Sequence, residues 1–308
     1  MDPDTHVLGG KALIMPLGAK LEIPEIYFST GGGATNTAVT FAKQGFRTAT
    51  ICVVGDDVSG KTIISELGDA GVDTSLVRVK KNLPTAYSIL LELESGERTV
   101  LVYRGVAETL SHTDIPLSKI KTKWFYLSSV AGDLSLLKEI IDFVKKHKMQ
   151  IAYNPGGREL KQYRKLTPLL KDISVLIANR EEAVLITGVP HKDEKRIFKV
   201  WDEMSPGINI MTDARDGVMV SDGKFLYQAG IYKEQKTVDR TGAGDAFGSG
   251  FVAGFMRHPE DITYAIKLGS ANATSKIEGL GAKFGLLSRR EFENSKRWRN
   301  LKIVKTTL

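Results

Sequence analysis

From Trp124 onward, short apolar runs alternate with longer segments of helical spacing, and this alternation limits the possible folds more than any other feature of the chain. Trp124–Leu127 precedes Leu134–Lys146, and residues 151–153 precede residues 159–170. Residues 175–177 lead into a helix from Arg180, and residues 208–211 into a hairpin around Asp222-Gly223. Strands alternating with helices build a parallel sheet covered on both faces, so an α/β fold with a mostly parallel sheet is expected. Ligands of such sheets bind beyond the C-terminal ends of the strands. Those ends carry Asn154-Pro155-Gly156-Gly157, Asn179-Arg180-Glu181-Glu182, Thr212 and Asp239.

One of these ends dominates the chemistry. Thr237-Val238-Asp239-Arg240-Thr241-Gly242-Ala243-Gly244-Asp245 reads as a strand end and a tight turn, followed by a helix running through Phe255. Gly242 and Gly244 have no Cβ, so the backbone can turn sharply and a ligand can come close. A helix N-terminus without partners attracts anions. Asp245 falls in the first helical turn, beside those amides. Amides that hold a transferring phosphoryl group and a carboxylate that takes a proton from the attacking hydroxyl would act on one reaction. A plain helix cap with packing glycines is the other reading of the same residues.

The first part of the chain is built differently. Residues 13–17, 20–23 and 26–29 read as short strands split by Gly18 and Pro24. Gly31-Gly32-Gly33-Ala34-Thr35-Asn36 is a second glycine-rich turn, leading into a helix over 37–44 that ends at Gly45. Residues 85–93 and Arg98–Tyr103 flank Ser95-Gly96, a hairpin signal. Together with the strands before residue 30, this hairpin is expected to form a small separate sheet, a lid.

Between these segments lies a misleading match. Gly55-Asp56-Asp57-Val58-Ser59-Gly60-Lys61-Thr62 fits the phosphate-binding pattern G-x-x-x-x-G-K-[ST] letter for letter, between a strand at 49–54 and a helix. A cradle that opens with two carboxylates would repel the polyphosphate it must hold. An ordinary loop, with Gly60 near the helix start and Lys61 in solvent, is the expectation.

Composition narrows the function classes. The net charge is +7, but the basic residues are spread over many short groups, as expected of solvated helix faces rather than a nucleic-acid groove. Excess positive charge would help to collect anionic nucleotides. No apolar run reaches a membrane span and no signal pattern opens the chain, so a cytoplasmic protein without membrane partners is expected. The single cysteine, Cys52, suits a reducing compartment, and the five histidines show no zinc spacing. Asn179 and Glu182, three apart at a helix start, could orient a hydrated Mg²⁺; an N-cap followed by a first-turn Glu is the bland alternative.

Gly31-Gly32 with Asn36, Asn179-x-x-Glu182 and Asp239-x-Thr241-Gly242-Ala243-Gly244-Asp245 together resemble the signatures of the ribokinase-like, or PfkB, carbohydrate kinases. The resemblance runs from about Thr30 to near the end of the chain. It implies a three-layer α/β/α domain (31–84 and 108–308) with a small β-sheet lid (7–30 and 85–107). It also implies an ATP- and Mg²⁺-dependent kinase acting on a hydroxyl of a sugar or nucleoside. By matching position, Asp245 resembles the base, and Gly242, Ala243 and Gly244 the anion hole. Gly31, Gly32, Asn36 and Asp239 resemble substrate ligands. Asn179, Thr212, Gly217 and Asn272 resemble nucleotide contacts, with Glu182, and Asn179 through water, serving Mg²⁺.

The chain departs from the family pattern in places. The family's first strand, which ends in a sugar-binding Asp, is expected to be absent from this sequence. Ala214 stands where a Gly is common, and Arg240 where a Thr is common. Many members bind a monovalent cation such as K⁺ beside the anion hole; Gly281-Ala282 matches that loop, but Gly285 replaces a hydroxyl ligand. A nucleoside kinase, with Phe28, Tyr87 and Tyr103 stacking a base, and a non-catalytic ligand-binding relative are the alternatives. Pairing of lids into a homodimer is left open.

Overall fold

The structure is a computed structural model that describes residues 13–92 and 98–308. Its elements run, in order, α1 (Gly33–Lys43), β1 (Val53–Gly55), α2 (Val58–Asp69), β2 (Arg78–Lys80), β3 (Tyr87–Glu92), β4 (Arg98–Tyr103), β5 (Trp124–Leu127) and α3 (Leu134–Lys146). Next come β6 (Gln150–Tyr153), α4 (Gly157–Leu160), α5 (Tyr163–Leu166), β7 (Val175–Asn179), α6 (Arg180–Thr187), α7 (Glu194–Met204) and β8 (Ile208–Thr212). The chain closes with β9 (Val218–Ser221), β10 (Phe225–Ala229), α8 (Ala243–Arg257), α9 (Ile262–Lys276), α10 (Arg289–Asn294) and β11 (Ile303–Thr307).

One seven-stranded sheet, in the order β11-β10-β9-β8-β7-β6-β5, carries the fold. β5 to β8 are parallel neighbours, whereas β8 to β11 pair antiparallel. The parallel half is the one foreseen from the strand–helix alternation. The other half reverses because the turn at Asp222-Gly223 is too short for a crossover and can only return the chain antiparallel. The long segment read as one helix over 159–170 is instead α4, α5 and a 3₁₀ turn at Thr167–Asp172, whose first turn holds Pro168.

Side chains of the parallel strands alternate between two cores, as a period of two requires. Leu176 and Ala178 of β7 pack with Leu136, Ile140, Phe198 and Trp201 from α3 and α7. Val175 and Ile177 of the same strand pack with Phe247, Phe251 and Ile266 from α8 and α9 on the other face. α8 and α9 cross closely because glycines line the contact. A Cβ on Gly250 would lie 3.0 Å from the Gly269 Cα, and one on Gly254 2.8 Å from the Ala265 Cα. This packing fixes the α8 N-terminus against the sheet.

Outside this body, β1 and β2 form a parallel pair, and β3 and β4 form an antiparallel hairpin with Tyr87 opposite Tyr103. The expected turn at Ser95-Gly96 and the start of the lid at 7–12 lie outside the described residues. Residues 13–30 contain no strand, contrary to the three short ones expected there. Pro16 and Pro24 remove ladder donors, and most of the apolar side chains here are exposed. Among the described residues, the β3–β4 hairpin is the only β-structure in the segments expected to form a lid.

Candidate active site

Two helix N-termini meet at the centre of the molecule. Gly242 precedes α8 in the left-handed region, with φ +80°, and among the described residues no side chain caps the helix. A Cβ on Gly242 would lie 2.9 Å from the Ala282 carbonyl, so glycine is needed there for both backbone angle and space. Gly32, with φ +102°, precedes α1 in the same uncapped way. α1 packs on α8 and brings Asn36 to Asp245, 209 positions away in sequence. The Asn36 amide Nδ2 donates to the Asp245 carboxylate at 2.8 Å.

Asp245 is half-buried, and its surroundings suit a base. Burial raises its pKa above the usual carboxylate range, and the Asn36 hydrogen bond offsets part of that rise. Tyr126 of β5 is enclosed as well; burial, and then the Asp245 charge, keep its phenol protonated. Among the described residues neither the Tyr126 hydroxyl nor the Asn36 Oδ1 has a hydrogen-bond partner. Buried polar atoms without partners are unusual and suit a place that a ligand completes. Gly244 is exposed at the start of α8.

Asp239 is buried and already engaged. Its Oδ1 accepts from the Thr241 N–H at 2.7 Å and its Oδ2 from the Gly281 N–H at 2.9 Å. Lys276 donates to the Asp239 main-chain carbonyl at 2.6 Å. Burial works against the Asp239 charge, but hydrogen bonds from Thr241, the Lys276 ammonium and the Gly281 amide outweigh it and hold the pKa below the usual range. The residue clamps the loop before α8 to the loop at Gly281, a part the expectation of a substrate ligand did not include.

The other strand ends supply a second cluster. Asn179 and Thr212 are register partners at the ends of β7 and β8. The Asn179 Oδ1 accepts from the Glu182 N–H at 2.9 Å, and a Glu182 carboxylate oxygen accepts from the Asn179 N–H at 2.8 Å. This is a capping box that satisfies two orphan amides. Burial raises the Glu182 pKa, Asn179 opposes the rise and Glu181 adds to it. After β8 the chain turns through Ala214, with φ +44°, and Gly217, with φ +92°. A Cβ on Gly217 would lie 2.1 Å from the Ala229 carbonyl, so that glycine has no substitute.

Asn272 corrects an expectation. Its side chain is fully buried, donates to Thr40 and to the Ala246 carbonyl, and accepts from the Leu287 N–H. It ties α1, α8 and the segment after α9 together and presents nothing to a nucleotide. The turn at Gly55 is an ordinary loop, as its carboxylates foretold. Asp57 Oδ1 accepts from the Gly60 N–H at 2.8 Å and caps α2, while Oδ2 accepts from the Thr85 N–H at 2.7 Å. Lys61 is 75% exposed and pairs with Asp56.

Sequence reasoning missed Lys276 and Lys283. The first is wholly buried, and the second bonds Thr30 and lies 3.7 Å from Glu66, beside the first glycine-rich turn. Burial lowers the Lys283 pKa against the pull of Glu66. Lysine is almost never fully buried without a partner, and no local pattern marks these two. Among the described residues no three His, Cys, Asp or Glu side chains gather to hold a metal ion. A divalent cation at Glu182 and Asn179 would therefore depend on phosphate oxygens and water, which is the habit of Mg²⁺.

A seven-stranded α/β core with an uncapped Gly-Ala-Gly-Asp helix start defines a phosphoryl-transfer class. The profile of the pfkB family carbohydrate kinases matches residues 10–289, and the chain belongs to that family. It is 28% identical to a cytidine kinase of Thermococcus kodakarensis over 277 residues, 87% of this chain and 93% of that one. It is 27% identical to a ribokinase of Haemophilus influenzae over 292 residues, 93% of each chain. A solved structure from E. coli, described as a putative ribokinase II in complex with ATP and Mg²⁺, superposes with a TM-score of 0.78 at 20% identity. That superposition covers 90% of this chain and 92% of the other. The chain is a phosphotransferase of the sugar and nucleoside kinase type.

Proposed function

We propose that the protein transfers the γ-phosphoryl group of ATP to a hydroxyl of a sugar, with Asp245 as the base. The observation that carries this reading is the Asn36–Asp245 hydrogen bond, which brings the two glycine-rich helix starts to one carboxylate. Asp245 accepts the proton of the acceptor hydroxyl, whose oxygen then bonds to phosphorus as the bond to ADP breaks. The Gly242, Ala243 and Gly244 amides stabilise charge on the transferring group. Gly31, Gly32 and Asn36 hold the acceptor, with the Asn36 Oδ1 turned to one of its hydroxyls. Asn179, Thr212 and Gly217 border the nucleotide. Mg²⁺ bound to the phosphates would neutralise their charge, with Glu182 and Asn179 orienting its water shell. The β3–β4 hairpin is the lid that excludes water, and its exposed apolar faces also suit pairing with a second copy.

A nucleoside is the second acceptor to weigh. Tyr87 and Tyr103 face each other in the hairpin register and both are exposed, ready to stack a base. The cytidine kinase of Thermococcus kodakarensis gives that reading a precedent among relatives. A single cysteine accords with a reducing compartment such as the cytoplasm. ADP formation from ATP over a panel of pentoses, hexoses and nucleosides tests the proposal. A sugar that raises the rate well above the acceptor-free level is expected. Turnover confined to nucleosides transfers the assignment to the second reading, and no turnover with any acceptor leaves a ligand-binding relative.

A further inference from the structure

Asp239 sets an electrostatic problem for the site. It is a buried carboxylate three residues before Gly242, held close to the place where a transferring phosphoryl group must arrive. A buried negative charge there would repel the incoming phosphate unless a positive charge balances it. The resemblance to the PfkB kinases implies a monovalent cation beside the anion hole. In this chain the residues do not fit such an ion. Lys276 is wholly buried at the end of α9, with its ammonium 2.6 Å from the Asp239 carbonyl and 3.5 Å from Asp239 Oδ2. Gly285, with φ +65°, offers no side-chain hydroxyl. The carboxylate also accepts from Gly281 in the cation loop, so the ammonium sits on the atoms that join the two loops.

We propose that the Lys276 ammonium is a tethered counter-charge that replaces the monovalent cation, so that phosphoryl transfer is independent of K⁺ and Na⁺. Lys276 touches neither substrate; it acts through Asp239, as a positioning residue. The inference rests on the kinase reading above. An ammonium on a side chain is a compact point charge with three donors, so it can take the place of a small ion among oxygens. Being covalent, it is present at any salt concentration.

MgADP with aluminium fluoride, a mimic of the transferring phosphoryl group, separates this part from a merely structural one. The native protein should bind it equally, within about twofold, in potassium chloride and in tetramethylammonium chloride. Lys276→Ala, which leaves room for an ion, should bind it about a hundredfold more weakly in tetramethylammonium and recover at least about tenfold in potassium. MgADP without fluoride should bind both proteins alike, because no transferring group is present to feel Asp239. Lys276→Met, which fills the space without charge, should lose the mimic in either salt. A tenfold gain on adding potassium to the native protein overturns the proposal, and so does a Lys276→Ala protein that binds the mimic as the native one does. If neither variant folds, the potassium response of the native protein decides. If the native protein binds no MgADP at all, the kinase reading has failed instead. In that case its melting temperature still decides: no change between the two salts supports the tethered charge, and a rise with potassium overturns it.

Discussion

The helix starts at α2 and α8 both follow glycine-containing loops, and they differ in capping: a side chain caps α2, and none among the described residues caps α8. At α2 the carboxylate of Asp57 takes the Gly60 amide, and the backbones are pressed so close that a Cβ on Gly60 would lie 2.2 Å from the Gly55 carbonyl. At α8 Gly244 is exposed, and the first-turn carboxylate is turned away to Asn36. The α2 loop fits the phosphate-binding pattern letter for letter. The availability of amides, rather than the order of letters, separates a phosphate site from a capped helix.

The largest consequence falls on Asp245. Asp245→Asn should lower kcat at least about a hundredfold, the scale of a lost general base, with ATP affinity nearly unchanged. The same variant should melt higher at neutral pH. The folded-state pKa of Asp245 is raised, so its contribution to stability is present below the unfolded pKa and is lost as pH rises through the folded value. At neutral pH the ionised carboxylate therefore destabilises the fold, and the amide relieves it. The gain in melting temperature should shrink in acid, which a scan of both proteins against pH would check.

Asn36→Ala comes next. Loss of a hydrogen bond to a charged group should cost about tenfold in kcat/KM at neutral pH. Asn36 holds the Asp245 pKa down, so its removal should shift the acid limb of the pH–rate profile upward. An unmoved limb would separate Asn36 from the base. Asp57→Ala should show the opposite pattern at α2. Losing the cap and the tie to Thr85 should cost about 1–2 kcal/mol in denaturant unfolding, while kcat and KM of the folded protein stay put. A change in ATP affinity in this variant would erase the contrast between the two helix starts. The smallest effect is expected in the turn after β8, where Ala214 holds φ +44°. Ala214→Gly should stabilise the protein by up to about 1 kcal/mol, read as a rise in melting temperature.

Much of this architecture is legible in the residues, for identifiable reasons. Trp124–Leu127 and Leu134–Lys146 fall where their spacing placed them, because each buries one continuous face. Asp222-Gly223 marks its hairpin by local turn chemistry, and Asp56 and Asp57 argue against a phosphate cradle by charge alone. Other features depend on partners distant in sequence. Nothing near Asn272 shows that its amide bonds reach Thr40 and Leu287, and nothing near Lys276 shows that its ammonium reaches Asp239. The segment 13–30 looked like strands because it is apolar, but apolar residues form strands only against a packed face, and among the described residues most of these side chains are exposed. β11 went unread because its Ile303–Thr307 run is an edge strand rich in lysine and threonine, with little hydrophobic alternation.

The most direct test sets Asp245→Asn beside Lys61→Ala in one assay of ATP-dependent phosphorylation and ATP binding. Lys61 sits in solvent beside Asp56, away from any amide that α2 could offer. Lys61→Ala should keep kcat and ATP affinity within about twofold of the native values, while Asp245→Asn loses at least about a hundredfold in kcat and keeps its affinity. Loss of ATP binding in Lys61→Ala, with turnover retained in Asp245→Asn, would place the phosphate at α2 and contradict the account.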